Sequence, residues 1–147
     1  MAEQTEKHPN VILLDRFYDA YAREDMAAVR EIFAPDIIWR IPGHHPLSGP
    51  KHGADEVLAF FDQLAKADFK ADVQAISAVD DYVLEFHRGW SDYGPKLDVM
   101  WTLVFRFEGE CIKEVYNMCA DQHAADQFFY AIYRLKPIPD RLDVIEG

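Results

Sequence analysis

A chain of 147 residues and 17.0 kDa has the size of one compact domain. Half of it is hydrophobic, with 3 Trp, 7 Tyr and 10 Phe. So much apolar surface can offset the ordering entropy, which excludes intrinsic disorder. The formal net charge of −11, from 15 basic and 26 acidic residues, repels phosphate backbones and anionic lipid. The expected partner is therefore a small molecule, with no nucleic acid and no membrane.

Residues 1–10 are polar and lack the apolar core of a signal peptide. No apolar run approaches the ~20 residues of a membrane span. The reading is a cytoplasmic protein with reduced thiols. Cys111 and Cys119 fall eight residues apart in one expected strand, about 26 Å along an extended chain, too far for a disulfide.

Residues 11–22 carry Leu14, Phe17, Tyr18 and Tyr21 on one helical stripe, with Asp15, Arg16 and Asp19 opposite. A second short helix is expected from Asp25, its cap, to Phe33, ahead of Pro35. Residues 36–41 are β-branched and aromatic and read as a strand. The segment 42–50, with three prolines and two glycines, reads as a stiff loop without a ladder.

A third helix over 54–65 places Val57, Phe60, Phe61 and Leu64 on one face. The apolar period then shortens to two, giving strands at 70–79, 82–90, 97–107 and 111–120. Short joints at 80–81, 91–95 and 108–110 imply an antiparallel meander. A last helix begins near Asp121 and carries Phe128, Phe129 and Ile132. The expected organisation is a flexible 1–10, one domain over 11–135, and an irregular tail over 136–147.

This order gives an α+β fold: a curved, mostly antiparallel sheet forming a cone, with helices over its concave face. Such a cone is a natural place for an apolar pocket.

Several segments resemble the SnoaL-like branch of the nuclear transport factor 2-like superfamily. They are Phe33-Ala34-Pro35-Asp36-Ile37-Ile38-Trp39, Pro42-Gly43 through Pro46-Leu47-Ser48-Gly49, and Gly53 opening the third helix. Val104-Phe105-Arg106-Phe107-Glu108-Gly109 and Asp121-Gln122-His123-Ala124-Ala125-Asp126-Gln127-Phe128 complete the resemblance. It implies a cone-shaped α+β barrel, commonly dimeric, in a superfamily of polyketide cyclases, ketosteroid isomerase, scytalone dehydratase, limonene-epoxide hydrolase and pure binders. None of those reactions requires a redox cofactor, so no cofactor is expected.

The isomerase residues do not carry over: its base aspartate falls on Arg40, its tyrosine on Phe17, and its second aspartate on Leu103. The dehydratase comparison keeps only Tyr21, with Ala22 where an aspartate would stand. The resemblance to the cyclases places their aspartate, near the end of the last strand, on Asp121.

Asp121 is the first candidate for a general acid or base, since a carboxyl at an apolar mouth is poorly solvated. It also stands where the final helix begins, and capping is the competing role. Of His44 and His45 on the braced loop, His44 is the chosen proton-transfer partner. Tyr18 shares the buried stripe of the first helix and could stabilise an oxyanion or simply fill the core. Trp39, Phe60, Trp101 and Tyr116 are expected to shape the pocket.

His87 alternates with Val83 and Glu85, opposite Tyr82, Leu84 and Phe86. If the first face is concave, His87 and Glu85 enter the cone; the larger apolar set argues that they are solvated. His44, His45 and His52 lack the ligand spacing of a zinc or iron site, so no metal is expected.

The functional expectation is a small-molecule enzyme using acid/base chemistry on a neutral, apolar substrate, by cyclisation, isomerisation or dehydration. Asp121, His44 and Tyr18 form its expected catalytic set, and His87 an expected substrate contact. The alternatives are a non-catalytic binding dimer and an epoxide hydrolase built on Arg40 and Asp121. An exposed sheet face in so apolar a chain is expected to form a homodimer.

Overall fold

The architecture comes from a computed structural model that describes residues 7–134. Residues 1–6 and the expected tail over 136–147 lie outside the described residues. Helix α1 spans Pro9–Ala22, two residues earlier than the sequence period suggested. Pro9 opens it because the first helical turn needs no amide hydrogen there, and the side chain of His8 accepts from the Asn10 amide.

Helix α2 spans Met26–Ile32, and the Asp25 carboxylate accepts from the Ala28 amide at 3.1 Å, as a cap should. The chain then gives β1 (Phe33–Ile41), β2 (Gly49–His52) and α3 (Gly53–Lys66). Next come β3 (Lys70–Val79), β4 (Tyr82–Ser91), β5 (Leu97–Glu108), β6 (Cys111–Cys119) and α4 (Gln122–Ile132).

The six strands form one curved, unclosed sheet in the order β2-β1-β6-β5-β4-β3. The expected meander over β3 to β6 is present, and β1 joins its free side in parallel with β6. The stiff loop needs correction: residues 49–52 turn back and pair antiparallel with β1, Ile41 facing Gly49 and Ile38 facing His52. Pro50 is tolerated there because β2 is an edge strand, where a missing donor need not break a ladder.

Helix α3 packs on β1, α1 on β3 and β4, and α4 on β5. Between them sits an aromatic core centred on Phe17. Its ring centroid lies 6.2 Å from Trp39, 6.1 Å from Phe61 and 6.3 Å from Phe105.

The faces of β4 are the reverse of the solvated expectation for His87. Val83, Glu85 and His87 are buried, whereas Tyr82, Leu84 and Phe86 are 41%, 41% and 44% exposed. The cause is register: Val83, Glu85 and His87 face Phe105, Leu103 and Trp101 on β5. Those three apolar side chains pack inward under the helices, and cross-strand partners share a face.

Candidate active site

Inside the cone, α1, α3, α4 and the concave sheet enclose a cavity of about 140 Å³. Half of its lining residues are aromatic: Phe17, Tyr18, Tyr21, Trp39, Phe60, Phe61, Phe69, Trp101 and Phe129. Gly89 permits part of that wall. A Cβ on it would lie 2.6 Å from Nε1 of Trp101, which instead lies over the strand and donates to the Gly89 carbonyl at 3.4 Å.

The cavity holds a hydrogen-bonded trio of side chains. Tyr18 donates its hydroxyl to Oε2 of Glu85, and the other carboxylate oxygen accepts from Nδ1–H of His87 at 2.6 Å. A carboxylate only accepts, so this contact fixes the proton on Nδ1 and leaves Nε2 for a ligand. Glu85 is 2% exposed and His87 8%, which shields both contacts from competing water. The His87 ring also lies nearly parallel to that of Trp101, at 9° and 6.5 Å between centroids.

Burial pushes the Tyr18 phenol far above its ordinary value, and the charge and hydrogen bond of Glu85 push it further. Tyr18 therefore keeps its proton and remains a donor. Burial likewise raises Tyr21.

The other cavity histidine is His45, not His44. Its ring stacks on Phe129 at 4.6 Å, and its Nδ1 accepts from the Leu47 amide at 3.1 Å. Burial lowers its pKa to about 4, against the charge of Asp126 and with help from Lys51. His45 is thus a neutral imidazole near pH 7, with its proton on Nε2.

Of the residues singled out in the sequence, Tyr18, Trp39, Phe60, His87 and Trp101 line the cavity. Asp121 and His44 do not join Tyr18. Asp121 is exposed and caps α4, accepting from the Ala124 amide at 3.1 Å. His44 is exposed, and its backbone amide donates to Oδ1 of Asp126 at 3.2 Å. Neighbouring Gly43 needs to be glycine, with φ +89° and a virtual Cβ 2.2 Å from that same carboxylate oxygen. The loop is braced against α4 in a way that turns His44 out and His45 in.

Tyr116 belongs to the convex face, 36% exposed, with the Arg40 guanidinium 4.7 Å over its ring. Arg40 also lies 3.9 Å from Glu114, so the Arg40–Asp121 pair needed for epoxide hydrolysis is not assembled. Sequence reasoning did not single out Asn117, chose His44 over His45, and gave Glu85 as a cavity group only in the alternative where the His87 face is concave. For Glu85 the signal was available: its i, i+2 spacing to His87, together with the apolar alternation of β5.

Fold and cavity together define a small cone-shaped α+β protein with a largely apolar cavity and a hydrogen-bonded Tyr18–Glu85–His87 trio on its wall. The chain belongs to the SnoaL-like domain family, which matches residues 14–115. Rv0034 of Mycobacterium tuberculosis, itself uncharacterised, is 32% identical over 122 residues, covering 80% of this chain and 93% of its own. Bal32a, from a soil-derived mobile gene cassette, superposes with a TM-score of 0.77 at 27% identity, over 82% of this chain and 96% of its own. An NTF2-like protein of unknown function from Burkholderia pseudomallei shares the fold at TM-score 0.72 and 21% identity, over 86% and 100%. That last likeness is one of fold alone: the chain has the fold of this NTF2-like protein.

Proposed function

We propose that this protein is a small-molecule enzyme that moves a proton on a neutral, largely apolar substrate, in a cyclisation, isomerisation or dehydration. The observation that carries this reading is the Tyr18–Glu85–His87 trio on the wall of a largely apolar chamber. Glu85 holds the His87 imidazole by Nδ1–H, and Nε2 is then free to take a proton from a substrate carbon and return it to a carbon or oxygen. Tyr18 occupies the second carboxylate oxygen and prevents Glu85 from rotating away. In this arrangement His87 is the catalytic residue, while Glu85 and Tyr18 position it.

The expected proton-transfer roles of Asp121 and His44 pass to this trio, because both of those residues lie outside the chamber. The supporting test is deuterium exchange at the α-carbon of 2-tetralone and cyclohex-2-enone, followed by NMR in D₂O. The expected result is protein-dependent exchange that His87→Gln removes and Asp121→Asn preserves. Loss of exchange in Asp121→Asn with retention in His87→Gln would reverse the assignment.

A binding-only role is the second reading. It is favoured by the closure of the trio on itself, since both carboxylate oxygens of Glu85 are already engaged. Saturable binding of the same ketones with no exchange in the wild-type protein would decide for it.

A further inference from the structure

Two imidazoles line the chamber, and they are held in opposite tautomers. His87 donates Nδ1–H to Glu85, which leaves its Nε2 without a proton. His45 accepts the Leu47 amide on Nδ1, which leaves its proton on Nε2. One ring therefore offers an acceptor and the other a donor. Burial keeps His45 neutral near pH 7, so that donor is uncharged. Neither Nε2 has a hydrogen-bond partner among the described residues. Neither belongs to the orphaned polar atoms that a water-sized molecule cannot touch, such as Nε1 of Trp39. Both stay within reach of a ligand.

Packing decides what His45 shows to the cavity. Its Nδ1 edge faces the loop backbone at Leu47, and Phe129 covers one face of the ring at 4.6 Å. The parts left for the cavity that it lines are the opposite edge, which carries Nε2, and the other face.

Sheet register brings the two histidines to one end of the chamber. His87 faces Trp101, and Trp101 faces Cys119. Strand β1 runs parallel to β6, with Trp39 level with Val115 and Arg40 with Tyr116. The chain that leaves it at Ile41, and carries His45, therefore heads for the row of Cys119. A continuous run of rings also joins the pair. His45 lies on Phe129, Phe129 packs on Phe69 at 5.9 Å, Phe69 on Trp101 at 5.9 Å, and Trp101 on His87 at 6.5 Å. Tyr21 brings a hydroxyl to the wall as well, but its ring packs on Phe61, which packs on Trp39. Through Val115 and Phe105, Trp39 is level with Val83, four residues and about 13 Å along β4 from His87.

We infer that His45 is the second working group of this site, a neutral donor that holds the oxygen of a small ketone whose α-carbon faces His87. The inference rests on the proton-transfer role proposed for His87. Nε2 of His87 takes the α-proton, and the C–H electron pair becomes the C=C bond of an enolate. The carbonyl π pair moves to the oxygen that accepts from Nε2–H of His45. His45 keeps its proton throughout. The positive charge rests on His87, beside the Glu85 carboxylate, until the proton returns to carbon. Size narrows the class: about 140 Å³ is close to the ~150 Å³ of an apolar cavity that accepts benzene, so the enclosed part of the ketone is about one ring.

The test is infrared spectroscopy of acetophenone, isotope-labelled at its carbonyl and bound to the wild-type protein. A donor on the oxygen lowers the carbonyl stretching frequency below that in hexane. The expected result is a lowered band that His45→Phe returns toward the hexane position and Tyr21→Phe leaves in place. Exchange of the acetophenone methyl protons with D₂O should fall about 10²–10³-fold in His45→Phe, as for loss of one oxyanion donor. Affinity should fall only about tenfold or less, because charge builds on the oxygen after binding. Nitrogen NMR of the wild-type protein, which needs no variant, should find the His45 proton on Nε2 and show that resonance moving when acetophenone is added.

A band at the hexane position in the wild-type protein, no binding of acetophenone, or a His45 proton on Nδ1 overturns the inference. A lowered band that survives in His45→Phe also overturns it, and its loss in Tyr21→Phe would give the oxygen to Tyr21. A lowered band that depends on His45, without deuterium exchange, removes the acid/base reading of His87 and upholds the donor. Exchange that depends on His87, with the band unshifted, does the reverse.

Discussion

Oε1 of Glu85 and Nδ1 of His87 lie 2.6 Å apart, two residues along one strand and on its concave side. Strand geometry makes this contact available, because residues i and i+2 share a face. The contact turns a histidine that could rotate into one held in a single orientation and tautomer.

The first consequence concerns that pair directly. His87→Gln is expected to lower any proton-transfer rate by about 10²–10⁴-fold, the usual contribution of a placed acid or base. Glu85→Gln should lower it by less, because the amide oxygen can still accept from Nδ1–H of His87 and hold the ring. Rates of solvent deuterium exchange measured from pH 5 to 9 check both.

Tyr18→Phe removes the hydroxyl that donates to Glu85 and leaves one carboxylate oxygen unpaired in a buried site. A hydrogen bond to a charged group contributes about 1.5–3 kcal/mol, and a loss of that size is expected in urea unfolding. The chamber should keep its shape, so ligand affinity should change less than stability.

His45 makes folding sensitive to acid. Its pKa falls to about 4 in the folded chain, so between the unfolded value near 6.5 and pH 4 the unfolded chain binds more protons. Stability therefore decreases as pH falls through this window, by up to about 1.4 kcal/mol per pH unit from this one group. Asp126, which raises the value, and Lys51, which lowers it, are the charges that act on it. His45→Gln should flatten the dependence of the urea midpoint on pH between 6.5 and 4; an unchanged slope would assign it to other groups.

Gly89→Ala tests the aromatic wall. The added methyl would meet Trp101 at 2.6 Å and Phe69 at 3.0 Å, so Trp101 must leave its place over the strand. Overpacking of this kind costs about 1–3 kcal/mol, and the chamber should lose ligand binding along with stability. Thermal melts and calorimetric titration of the same sample would show whether the two losses occur together.

We propose that the convex face is where a second copy of the chain docks. Leu84, Val104 and Tyr116 stand in one cross-strand row, and Phe86, Thr102 and Met118 in the next. Phe86 and Met118 are 44% and 51% exposed, and a contiguous apolar patch of this kind favours an isologous contact. Sedimentation should give a dimer that Phe86→Lys with Met118→Lys converts to monomer. A wild-type monomer at high micromolar concentration would remove the proposal.

Much of this molecule could be read along the chain, because the deciding interactions are local. Helical stripes such as Leu14 and Phe17 depend on a period of 3.6, and the Asp25 cap on the first turn of its own helix. The same locality made Asp121 legible as a cap candidate, and capping is the contact it makes. The segment 49–52 was not legible, since its pairing with β1 depends on a turn that brings distant backbone together.

Sequence by itself determined the fold class and the aromatic character of the chamber, which follow from composition and local period, and the family resemblance, which rests on motifs such as Phe33–Trp39 and Asp121–Phe128. Tertiary structure alone decided which histidine and which carboxylate enter that chamber. His44 and His45 differ by one position in a loop, and only the brace of Gly43 against Asp126 and Gln122 sets which ring points inward. Glu85 and His87 could occupy either side of β4 until β5 fixed the register. A face of a strand is defined by what lies across from it, and that neighbour is 18 residues away for Glu85 and Leu103.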